Sequence, residues 1–103
     1  LAVLWREASF RQEVWGGALA VAALIGMGAT AASIATFVML WLVLLSVEAL
    51  NTALEAIVDH LSPEWSAFGK QVKDLGSAAV FLMLLANGVF FGMTIVALVL
   101  PSA

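Results

Sequence analysis

The apolar positions of this chain fall into long uninterrupted blocks. From residue 14 to residue 47 there are 34 residues without a formal charge, and a second uncharged block runs from Leu75 to the end. A bilayer core takes about 20 helical residues, so the first block is long enough for two spans and the second for one. The string GMGATAAS, residues 26–33, breaks the first block with two glycines and a run of small side chains, which predicts a tight turn. The pattern predicts three helices, over about residues 9–27, 33–60 and 74–100. The second exceeds one bilayer thickness, so its last turns project out of the hydrocarbon. Ser62-Pro63-Glu64 reads as a stop followed by the cap and first turn of a short amphipathic connector through Trp65, Phe68 and Val72, weakened at Gly69. Pro101 ends the third helix.

Composition turns this pattern into a membrane protein. Hydrophobic residues make up 64% of the chain and charged ones only 11%, with a mean hydropathy of +1.11. A water-soluble domain of 103 residues is hard to build from such a mixture. The expected fold is all-α: a single polytopic domain over residues 1–103 with three transmembrane helices. Arg6, Arg11, Lys70 and Lys73, all of the Lys and Arg in the chain, fall on one side of the three-span topology. The positive-inside rule makes that side cytoplasmic, with the amino terminus and the 60–73 connector facing the cytosol. Trp5, Trp15 and Trp65 suit interfacial anchoring. The absence of cysteine excludes a disulfide framework, a thiolate nucleophile and a sulfur-ligated metal. No basic patch for nucleic acid is present. The chain opens on Leu1, so an amino-terminal segment is expected to be missing.

After the second apolar run comes EALNTALEAIVDH, residues 48–60. At 100° per residue, Glu48, Asn51, Glu55 and Asp59 fall within an arc of about 80° on one helix. Translocon scales put aspartate at mid-bilayer at about 2.5 to 3.5 kcal/mol, so acids at this depth turn toward protein, water or cations. Asp59 also suits the solvated end of a helix leaving the membrane, a reading less apt for Glu48 and Glu55. Acidic oxygens without histidine or cysteine suit a hard cation, Mg²⁺ rather than Zn²⁺. Mg²⁺ binds through one or two carboxylates plus substrate phosphates. With Lys73 and Asp74 opening the third span, and Glu7, Arg11 and Glu13 the first, the pattern suggests phosphoryl transfer to a lipid headgroup. Neither a P-loop nor a protein-kinase glycine-rich loop is present.

Three strings carry a resemblance. EASFRQE at 7–13, EALNTALEAIVDH at 48–60 and VKDLGSAAV at 72–80 resemble, in order and spacing, the small integral-membrane diacylglycerol kinases of bacteria. The resemblance implies a homotrimer of three-helix protomers in the bacterial inner membrane. It also implies transfer of the γ-phosphate of MgATP to diacylglycerol, giving phosphatidic acid. By position, Glu48 is the expected general base on the lipid hydroxyl, with Asn51 orienting groups around it. Glu7 and Glu55 are the expected Mg²⁺ carboxylates, Lys73 the lysine on the ATP phosphates, and Asp74 the acid that supports the site. Phe10, Arg11, Gln12 and Glu13 match the segment lining the nucleotide and lipid headgroup region, and Gly76 and Ser77 the small residues beside it. The family carries an amphipathic surface helix ahead of the first span, expected to be absent or truncated here.

Two other readings accompany this one. The same fold and constellation serve a kinase for a long isoprenoid alcohol such as undecaprenol, which differs in the acceptor pocket. A non-enzymatic subunit, such as a small transporter using Glu48 or Glu55 for proton coupling, also carries intramembrane acids, but it has no need of the lysine and second acidic cluster. Three helices alone do not readily enclose a carboxylate stripe and keep every lipid-facing surface apolar, which favours an oligomer. Gly16 with Ala20, Ala18 with Ala22, and Gly88 with Gly92 permit close helix approach, and Asn87 is expected to donate an interhelical hydrogen bond.

Overall fold

Gly28 carries the one left-handed backbone conformation among the described residues, φ +80°, and it closes the first helix hairpin. Its amide donates to the carbonyl of Ile25 and that of Ala29 to Leu24, the paired bonds of a Schellman ending that glycine adopts without strain. Two residues later Thr30 caps the next helix, its side chain accepting from the Ser33 amide at 3.1 Å. The small-residue break in the sequence is thus a helix stop and a helix start set back to back.

The computed structural model describes residues 2–100. A single turn, α1 (Ala2–Trp5), precedes three long helices, α2 (Ala8–Gly26), α3 (Ala31–Leu61) and α4 (Ala67–Val99). No strand occurs among the described residues. Pro101, the expected end of the third helix, lies outside the described residues, whose last helical position is Val99. The three long helices run antiparallel, with α3 packed against both α2 and α4 and more extensively against α4. At 1.5 Å per residue, α3 and α4 are about 46 and 50 Å long, within a molecule 56 × 27 × 17 Å. Both are long and apolar enough to cross a membrane.

Residues buried at the helix contacts recur every seventh position: Phe10, Gly17 and Leu24 on α2, Phe37, Leu44 and Asn51 on α3, Gly69 and Gly76 on α4. A seven-residue seam is the signature of left-handed packing with side chains set into facing gaps. The buried apolar core is small, made of Phe10, Leu24, Phe37 and Leu44, and most large aliphatic side chains remain exposed. This inverted balance suits a hydrocarbon solvent.

The start of α4 corrects the expected connector. Ser62 is the end cap of α3, residues 63–66 are not helical, and Ser66, not Ser62, caps the next helix by accepting from the Gly69 amide at 3.0 Å. From Ala67 the helix then continues unbroken through Asp74, so the connector is its first two turns and no separate element. A mid-helix glycine costs about 1 kcal/mol relative to alanine. Here Gly69 is buried, and a methyl at that position would press against Val58 Cγ1 and Ser66 Oγ. Close approach of α4 to α3 is what the glycine provides.

Candidate active site

The antiparallel order brings the start of α2, the end of α3 and the start of α4 to one end of the molecule. Every charged residue of the chain belongs to those three segments or to Arg6, Glu7 and Glu64 beside them. Two clusters result, one inside the bundle and one at its outer edge.

The inner cluster joins α2 to α3. Glu48 and Asn51 are buried, 7% and 9% exposed, and the Glu13 carboxyl on α2 neighbours that of Glu48. Glu13 Oε2, Glu48 Oε2 and Asn51 Oδ1 are all buried without a hydrogen-bond partner. Buried acceptors without donors are costly, and two facing carboxyls require a proton, a cation or a donor between them. Asn51 in turn lies against Gly76 of α4, where a Cβ would collide with its amide oxygen. Beside Glu13 opens a cleft of about 330 Å³ lined in part by Gln12, Gly16, Trp41, Leu44, Asn87 and Phe91. Asn87 donates across the helix contact to the Leu40 carbonyl at 3.1 Å, as its mid-span position predicts.

The outer cluster lies in a cleft of about 300 Å³ where α3 turns into α4. Lys73 Nζ pairs with Asp59 at 2.6 Å, and Lys70 Nζ pairs with Asp74 at 2.7 Å. All four side chains are at least 41% exposed, so solvent screens these pairs and they exchange readily for other partners. Asp59 is therefore both solvated and paired. Glu55 stands on the same face of α3 between the two clusters, half-buried.

The expected site residues divide between these clusters. Glu13, Glu48 and Asn51 are together in the inner one; Lys73 and Asp74 are in the outer one with Asp59 and Lys70. Taking Asn51 and Gly76 as level, Lys73 starts about 9 Å farther along the axis than Glu48, and its ammonium reaches outward to Asp59. Glu7 is the exposed residue before α2, its side chain capping nothing. Phe10 is buried in the seam. Arg11 donates from Nη1 to the Trp5 carbonyl at 2.6 Å, tying α1 to α2. Ser77 is exposed on α4 one residue beyond Gly76. Among the described residues no three Asp, Glu, His or Cys side chains converge as a metal centre. The Lys70–Asp74 pair was legible in its four-residue spacing. The Asp59–Lys73 pair, which crosses between helices, carries no such signal.

All-helical over its described residues, with two bilayer-length helices and acids buried at one end of the bundle, this is an integral-membrane protein. It belongs to the prokaryotic diacylglycerol kinase family, which matches residues 1–96. It is 46% identical over 84 residues to a diacylglycerol kinase of Sinorhizobium sp., covering 82% of this chain and 61% of that protein. Identity to the diacylglycerol kinase of Pseudomonas aeruginosa is 37% over 84 residues, covering 82% of this chain and 68% of the relative. The diacylglycerol kinase of Escherichia coli is 34% identical over 79 residues, covering 77% and 65%. The chain thus spans about two thirds of the length of these relatives.

Proposed function

We propose that this chain is a diacylglycerol kinase that uses MgATP at the cytoplasmic face of a bacterial inner membrane, as a homotrimer of protomers with three spans, α2 being the first. The observation that carries the reading is the facing pair Glu13 and Glu48 beside Asn51, buried with acceptor oxygens lacking donors, in a member of this family. An acceptor hydroxyl supplies the donor that this arrangement lacks.

In the reaction the free hydroxyl oxygen of diacylglycerol bonds to the γ-phosphorus of ATP, the bond from that phosphorus to the β,γ-bridging oxygen breaks, and ADP and phosphatidic acid result. Glu48 takes the hydroxyl proton, and the Asn51 amide orients the hydroxyl toward it. Glu13 and Gln12 line the headgroup position, with Ser77 across on α4. Lys73 exchanges Asp59 for the phosphates, a swap that an exposed pair permits at little cost. Asp74 holds Lys70 in place, and Phe10 and Arg11 fix the start of α2 beside the nucleotide. Glu7 and Glu55 offer the hard oxygen donors that Mg²⁺ prefers, and one or two carboxylates are all it needs from a protein when phosphates complete its shell. The ion, when bound, neutralises charge on the transferring phosphoryl group. The positions of Arg6, Arg11, Lys70 and Lys73 at the same end support a cytoplasmic orientation.

The test offers γ-labelled ATP and Mg²⁺ to the chain in mixed micelles containing either diacylglycerol or undecaprenol. Label is expected in phosphatidic acid, to require Mg²⁺, and to fall at least about 100-fold in Glu48→Gln with the fold retained. Label in undecaprenol alone replaces the acceptor, and label in neither lipid overturns the kinase reading.

A further inference from the structure

Trp41 stands among apolar residues in the middle of α3, and nothing in the proposed chemistry uses it. Its indole Nε1 nevertheless donates to the main-chain carbonyl of Glu13 on α2 at 2.9 Å, across 28 residues of sequence. Helical side chains lean toward the amino terminus, so the residue four positions on covers the carbonyl behind it. For Glu13 that residue is Gly17, and the missing side chain leaves the carbonyl open. A Cβ on Gly17 would collide with the Trp41 indole. The glycine and the indole therefore form one fitted contact, and it holds the turn of α2 from which the Glu13 side chain reaches Glu48.

We propose that Trp41 is a positioning residue for Glu13: its N–H, seated over Gly17, fixes the height and rotation of α2 so that the Glu13 carboxyl meets Glu48. The inference rests on the kinase reading for its catalytic consequence but on geometry alone for the latch. One hydrogen bond across a helix contact is a small feature. Its leverage comes from location, because the Glu13 carboxyl faces Glu48, the proton acceptor of the proposed reaction, and proton transfer is sensitive to small displacements of the groups around it.

Trp41→Phe tests this cleanly. It keeps an aromatic ring on α3 and removes the donor together with part of the indole, a packing loss that the Glu13→Asp background separates from the latch; the Glu13 carbonyl keeps its helical acceptor role, so no buried group is orphaned. The variant is expected to lose about tenfold in kcat, with KM for MgATP and diacylglycerol unchanged within about twofold. On a Glu13→Asp background, where the carboxyl is already withdrawn, the same change is expected to cost less than about twofold. Hydrogen exchange provides a readout free of activity: the Trp41 indole N–H is expected to be protected in the unmodified chain, and amides 14–17 to exchange faster in Trp41→Phe. Wild-type kcat in Trp41→Phe, or an equal loss on both backgrounds, overturns the positioning role and leaves the kinase reading intact. If the unmodified chain phosphorylates no lipid, the kinase reading fails, and exchange alone decides the latch. An unprotected indole N–H then overturns it.

Discussion

Two glycines in the same chain face opposite circumstances, and the difference is measurable. A methyl group on Gly76 would meet the Asn51 amide oxygen, whereas one on Gly88 meets nothing within 4 Å. Asn51 is buried and already lacks a donor for that oxygen, so it has little room to retreat. Gly76→Ala is expected to destabilise the fold by about 1–3 kcal/mol and to lower phosphate transfer with it. Gly88→Ala removes a helix-interior glycine and is expected to be neutral or stabilising by up to about 1 kcal/mol. Unfolding titrations of the two variants in mixed micelles check the contrast; an equal or larger loss in Gly88→Ala contradicts it. At this scale the stripe Glu48, Asn51, Glu55, Asp59 was legible because the 100° periodicity is a property of one helix. Which residues complete it across helix contacts was not. Glu13 enters through the charge pattern and the resemblance but without its pairing to Glu48, and Trp41 with Gly17 through neither, because the indole of α3 and the bare carbonyl of α2 are related only by packing.

The helices themselves were nearly all written in the sequence. Bounds of 9–27 and 33–60 differ by one or two residues from α2 and α3, since a Gly-rich stop and a Thr cap are local signals. The expected start at residue 74 falls seven residues late because Gly69 reads as weakening the connector, whereas its closeness to Val58 and Ser66 shows a glycine kept for close packing. The true start depends on Ser66, whose hydroxyl accepts from the Gly69 amide at 3.0 Å and pairs with Ser62 Oγ at 3.3 Å. Ser66→Ala is expected to cost about 1 kcal/mol, and the loss should be local. Amides 67–70 should exchange faster while those around Asn87 do not. Uniform acceleration along α4 would mean that the first two turns are not an independently anchored segment. Because Lys70 and Lys73 sit on these turns, fraying them should also raise KM for ATP more than it lowers kcat.

The whole molecule leaves its chemistry divided. Lys73 begins about 9 Å beyond Glu48 along the helix axis and turns outward, while the Glu13, Glu48 and Asn51 oxygens wait for donors inside the bundle. A single protomer also leaves most of its large apolar side chains exposed, including Leu42, Val43 and Leu50 on α3, and α3 carries the acids. If the proposed trimer closes head-to-tail around a threefold axis, a site can take its acids from one protomer and its lysine from the next. This arrangement makes a definite prediction about mixed assemblies. Glu48→Gln and Lys73→Met are each expected to be inactive alone. If each site takes Glu48 from one protomer and Lys73 from its neighbour, co-assembling the two variants in equal amounts regenerates intact sites at about one in four positions. Unmixed controls of the same preparations should remain silent, and light scattering should report trimers throughout. Absence of recovery in verified mixed trimers would place Glu48 and Lys73 of a working site in the same chain. The lysine must then abandon Asp59 and swing inward along its own helix to reach the transferring phosphate.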